Sequence, residues 1–174
     1  MSESTEELTT AVRGLGETLA EVTTHAGQLS EQAGELSKEA GAHGWHGIAE
    51  RMQEAGEALT EAVGGLGSGQ QSCERATAEL ELINDKIPAE EVAGHLAASS
   101  TELGTATTEV QGALEKVDEA QTAVNEVGQE GMMQATLDLY NQLTEIQEQI
   151  GQYRSTSEQE QAAADDYAKR QLGN

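Results

Sequence analysis

At 174 residues the chain is long enough for one medium domain or two small ones. It holds one Trp, three Tyr, no Phe and a single Pro, which argues against a wide core filled by rings, and so against a compact β-rich or α/β enzyme. Against 32 Asp and Glu stand only 9 Lys and Arg, for a formal charge of −23. That balance excludes direct binding to nucleic acid, which needs cations to replace counterions, and attraction to an anionic membrane surface.

The acid excess is spread evenly: residues 1–87 carry 16 acids and 5 bases, residues 88–174 carry 16 and 4. It is a solvated acidic face along the whole body, with docking on a basic partner as its functional reading. No signal peptide opens the sequence and no apolar run reaches the ~20 residues of a membrane span. The lone Cys73 cannot make an internal disulfide. The expected place is the cytoplasm, or outside the cell by a route without a signal peptide.

The first element opens at Ser4-Thr5-Glu6-Glu7, a capping box with Ser4 as N-cap and Glu7 reaching back. Its apolar seam is Leu8, Val12, Leu15, Leu19, Val22, Ala26, Leu29, Ala33, Leu36 and Ala40. Steps of four and three alternate without a miss, the 3.5-residue period of a coiled coil or narrow bundle. Gly41 and Gly44 supply the stop.

After a turn at 41–47 the second seam runs Trp45, Ile48, Met52, Ala55, Leu59, Ala62, Leu66, Gly69, Cys73, Ala76, Leu80 and Ile83. Trp45 takes the first slot and is expected to pack back on Leu36 and Ala40. As the one Trp at a hairpin tip it is also a candidate binding anchor. Gly64-Gly65-Leu66-Gly67-Ser68-Gly69 is the weak stretch, where the helix either breaks or runs on, because each interior Gly costs ~1 kcal/mol relative to Ala.

Asn84 to Pro88 close this first hairpin, residues 1–84, and Pro88 fits a first helical position. The third seam is Val92, Leu96, Ser99, Leu103, Ala106, Val110, Ala113, Val117, Ala120, Val124 and Val127. A turn at 128–131 leads to the fourth: Met132, Thr136, Leu139, Leu143, Ile146, Ile150 and Tyr153. This second hairpin spans 85–154, and the pattern then dissolves, so 155–174 is expected to be a flexible acidic tail or frayed helix.

Gly41-Ala42-His43-Gly44-Trp45 and Gly128-Gln129-Glu130-Gly131-Met132 are matching turns in the two halves. The fold expected is all-α: two tandem antiparallel helical hairpins forming an elongated, coiled-coil-like four-helix bundle, packed side by side or joined end to end. Ala20, Gly27, Gly34 and Gly41 recur every seven residues beside the first seam, as do Ala49 with Gly56 and Ala97 with Gly104. They are expected to allow close helix approach.

Chemistry is poorly represented. His43 and His46 straddle Trp45 but lack a third ligand, so no metal is expected. The glutamates lie off the seams without a Glu-x-x-His partner, and the Gly-rich stretch lacks the Gly-Lys-Ser/Thr ending of a phosphate loop. Cys73 lies on a seam as a buried thiol. Met132 and Met133 could form a pliable partner surface, although core filling after a turn is the stronger reading. Neither a catalytic centre nor a cofactor is expected.

Gly44-Trp45-His46-Gly47, set between two antiparallel amphipathic helices, resembles the Trp-x-Gly turn of the helical-hairpin superfamily exported by type VII (ESX-like) secretion systems. The likeness covers residues 4–83. It implies a non-catalytic protein that pairs with a partner or with itself and leaves the cell without a signal peptide. The family's Tyr-x-x-x-Asp/Glu export signal is not matched, since Tyr140, Tyr153 and Tyr167 are followed four residues on by Thr144, Ser157 and Gln171. The whole chain, including Ile87-Pro88-Ala89-Glu90-Glu91-Val92, resembles tandem helical-hairpin proteins of actinobacteria, which implies an architecture and no activity. The partner-contact candidates are Trp45, Gly47, His43, His46, Met132 and Met133, and the second reading is an acidic scaffold, inhibitor or immunity-type protein docking on a basic partner.

Overall fold

Four stretches of 3.5-residue periodicity separated by short breaks become four helices. The computed structural model describes residues 3–172. Among them α1 is Glu3–Ala42, α2 His46–Glu81, α3 Ala89–Val127 and α4 Glu130–Leu172. Each is roughly 55–65 Å long at 1.5 Å per residue. The connections reverse the chain each time, so the helices run up, down, up and down.

Each helix packs along its length on the next, and α4 returns to α1 along a sparser edge. The protein is therefore an all-α four-helix bundle with the hairpins side by side: one apolar core runs from Leu8 of α1 to Ile150 of α4. One end of the bundle carries the α1–α2 and α3–α4 turns, tied together by the Arg51–Glu126 ion pair at 2.7 Å. The far end carries the start of α1, the 82–88 loop and the end of α4.

The seams are where the burial lies. From Leu8 to Ala33 every seam residue of α1 is buried, as are Met52 to Ile83, Leu96 to Val124 and Met132 to Ile150 on the others. Leu36, Val92, Val127 and Tyr153 are partly buried against that core. The two central helices bury a second flank as well, including Ala93, Ser100, Leu114 and Ala123 of α3.

Four local expectations are corrected. Ser4 is not an N-cap, because α1 already begins at Glu3. Pro88 is not the first helical residue but the extended residue before α3, at φ −70° and ψ 156°. The chain from 155 to 172 is not a disordered tail but the helical last part of α4, and residues 173–174 lie outside the described residues. Ala162, Ala163, Ala164 and the surrounding Gln and Glu are strong helix formers, and the Ser157 hydroxyl donates to the Leu96 carbonyl at 2.8 Å, so docking continues after the apolar seam stops. Trp45 leaves its seam slot, as described below.

The Gly-rich stretch of α2 does not break. The α2–α3 packing accounts for this. A Cβ on Gly65 would lie 3.2 Å from the Glu109 carbonyl oxygen, and one on Gly69 3.3 Å from Val110 Cγ2. The missing side chains admit the backbone of α3, and the dispersion attraction between the closely approaching helices offsets the lost helix propensity. Of the heptad-spaced small residues, Gly56 lies against Ser30 and Ala33, and Gly104 lies under the Arg154 guanidinium, while Gly27, Gly34 and Gly41 face open space.

A polar layer crosses the core. Ser72, Cys73, Ser99, Ser100 and Ser157 are all buried and lie roughly 27 residues along their helices from the turn end, about 40 Å at 1.5 Å per residue.

Candidate functional site at the hairpin tip

The α1–α2 turn is set by backbone chemistry. Trp45 N–H donates to the Ala40 carbonyl at 2.9 Å and Gly44 N–H to that of Gly41 at 3.0 Å. Gly44 between them has φ +78°. This is the Schellman pattern: a left-handed residue after the helix lets its last carbonyls find partners, and glycine adopts that conformation without a Cβ penalty. The second turn of the bundle also uses a left-handed glycine, Gly128 at φ 69°, whose N–H donates to the Asn125 carbonyl.

Trp45 then serves as the residue flanking α2, with φ −86° and ψ 68° and no side-chain cap. Those dihedrals take it out of the helical progression, so the seam position counted from sequence does not apply to its ring. Trp45 is 56% exposed, so its ring lies largely at the surface rather than inside the core. It stacks instead on His43, with centroids 4.6 Å apart and planes 21° from parallel. Ile48, one turn into α2, is also on the surface. Sequence counting missed both, and the only available signal was the His-Gly-Trp spacing, which lets two rings face each other across a glycine.

The other sequence candidates divide. His43, His46 and Gly47 are exposed with Trp45 and form one continuous tip. Met132 is at the same end of the bundle but is 1% exposed and closes the core, and Met133 is half-buried against it. This burial agrees with the stronger of their two sequence readings, core filling after the turn.

The base of the tip is braced by charge. Arg51 bridges Glu54 at 2.9 Å on its own helix and Glu126 at 2.7 Å on α3. The hydrogen bond to Glu54 first, and the Glu126 charge second, raise its guanidinium pKa above the ordinary value. These pairs are solvated and contribute little stability, yet they tie the two turns together.

No other cluster rivals the tip. Among the described residues no three His, Cys, Asp or Glu side chains come together to hold a metal. Cys73 is fully buried, and its thiol is pushed up to about 12 by burial, with a lesser effect from Glu74; a protonated thiol is no nucleophile. His95 pairs with Glu79 at 2.8 Å between α3 and α2. No helix among the described residues is long and apolar enough to cross a membrane. Compared with family models, curated proteins and solved structures, the chain has no match.

Proposed function

We propose that the protein is a non-catalytic, partner-binding helical bundle that uses the Trp45 tip as its anchor, in the style of type VII secretion substrates. The observation that carries this reading is the only Trp of the chain standing more than half exposed on a backbone-defined turn, braced by a stacked His43. A large ring with few rotatable bonds, held in place before contact, loses little entropy on binding, and Trp is enriched among interface hot spots.

A photo-crosslinking amino acid placed at position 45, and in parallel at exposed Glu145 on the flank of α4, tests this in extracts of the native host. A discrete adduct at 45 and none at 145 is expected. Equal labelling at both positions, or labelling at 145 alone, would overturn it.

A second reading has the acidic flanks of the bundle dock on a basic protein, as a scaffold, inhibitor or immunity-type protein would. The even spread of a −23 charge favours it. Such a complex weakens sharply as salt shortens the screening length to ~10 Å at 0.1 M. A complex anchored on Trp45 holds through the same titration, and size-exclusion chromatography separates self-association from a foreign partner.

A further inference from the structure

Up to the buried serine layer all four helices bring bulky apolar side chains to the core. Beyond it one of them stops. On α4 the series Leu139, Leu143, Ile146 and Ile150 gives way to Tyr153, Ser157, Glu160, Ala164 and Tyr167. The other three helices and the 82–88 loop still present Leu8, Val12, Leu80, Ile83 and Leu96, all buried.

The mismatch leaves a cleft of about 540 Å³ between Ile83, Ile87, Val92 and Leu96 on one side and Ala163, Ala164 and Tyr167 on the other. Tyr167 remains 54% exposed across it. Methyl groups facing a row of Ile, Val and Leu fill little of the volume, and an unfilled gap forfeits dispersion contacts on both walls.

The serine layer marks the place where docking weakens. The Ser99 hydroxyl is 0% exposed and has no hydrogen-bond partner, an unfavourable state for a buried polar group. Just beside it α4 is clasped by the Ser157 hydroxyl on the Leu96 carbonyl and by Ser100 on Glu158 at 3.1 Å. The edge between α4 and α1 is also the sparsest of the bundle.

We propose that residues 158–172 of α4 form a helical strap that unlatches as a unit at the serine layer while the rest of the bundle stays folded, and that its release uncovers the Ile83–Leu96 cleft. Segments with few apolar contacts open sub-globally at a free energy below that of global unfolding. Once released the strap has lost its packing, and a helical stretch of about 15 residues is marginal in water, so its amide hydrogen bonds open together as a block rather than one turn at a time from the end.

Hydrogen exchange read by mass spectrometry on the full chain tests this. Amides of 158–172 should exchange together, at least about tenfold faster than those of 139–150. Ala164→Leu, which fills the cleft, should slow the whole block by about tenfold and leave 139–150 unchanged. Tyr167→Ala, which removes the bulkiest side chain that the strap presents to the cleft, should speed the whole block, including residues on the N-terminal side of the substitution. Equal rates along α4 would overturn the proposal. So would a smooth gradient inward from Leu172 that neither substitution alters, because that is terminal fraying.

Discussion

Gly64, Gly65 and Gly67 should respond differently to alanine, although all lie inside one uninterrupted helix. Gly64 and Gly67 have nothing within 4 Å of an added Cβ, so Gly64→Ala and Gly67→Ala gain helix propensity alone, about 1 kcal/mol each. Gly65→Ala gains the same propensity but places its Cβ 3.2 Å from a main-chain oxygen of α3, with Ala113 Cβ at 3.6 Å and Ala113 N at 3.7 Å. A helix backbone cannot yield without shifting its whole seam, and overpacking of this kind costs ~1–3 kcal/mol. The net effect is neutral to about 2 kcal/mol destabilising, against about 1 kcal/mol stabilising next door. In a chain of this size 1 kcal/mol moves Tm by roughly 2–4 °C. Thermal and urea melts followed by circular dichroism at 222 nm would resolve that spread. Equal stabilisation at all three positions would refute the close approach of α2 and α3, and equal destabilisation would refute the continuous helix.

Cys73 makes stability depend on alkaline pH. Its thiol is held up to about 12 in the fold from an ordinary value of 9.0, so above pH 9 the unfolded chain loses a proton that the folded chain keeps. Stability should fall between pH 9 and 12 by up to about 1.4 kcal/mol per pH unit more in wild type than in Cys73→Ala; parallel pH profiles would contradict the buried thiol. At neutral pH Cys73 should also resist alkylation until the protein is denatured, and rapid labelling of the native chain would show it accessible. Self-repulsion of a −23 charge on slender helices predicts a Tm that rises between low salt and about 0.15 M, where the screening length is ~8 Å, and a Tm indifferent to salt would mean the acids are already compensated.

Most of the architecture could be read from sequence because a 3.5-residue seam leaves few arrangements open. The steps of four and three from Leu8 to Ala40 identify both the helix and its buried face, and short turns force neighbours to be antiparallel. The failures have particular causes. The end of α4 has no apolar seam, so a reading based on hydrophobic period stopped at Tyr153, whereas alanine propensity and one serine hydroxyl on the Leu96 carbonyl carry the helix on. The glycines of α2 left open whether the helix breaks, because their compensation lies on another helix, at Glu109 and Val110, which no local pattern contains.

At the tip, the same counting that placed Met52 and Leu59 correctly gave Trp45 a seam slot that its 56% exposure does not bear out. The dihedrals of a residue flanking a helix end are set by the preceding Schellman turn and not by the seam. His43, His46 and Gly47 stood out in the sequence as candidates and are exposed beside Trp45; Met132 was also a candidate, with core filling as its stronger reading, and is buried. Sequence spacing located the end of the bundle, while side-chain direction decided which residues face outward.

A Trp45 that anchors a partner and a Trp45 that supports the core respond differently to one substitution. As an anchor, Trp45→Ala should leave Tm within about 2 °C of wild type, because a ring 56% exposed has little burial to lose, while capture of the partner from native-host extract falls at least about tenfold, the scale of a single hot spot. A Tm lowered by about 6 °C or more, the scale of a truncated core aromatic in a chain of this length, with capture per folded molecule unchanged, would contradict it.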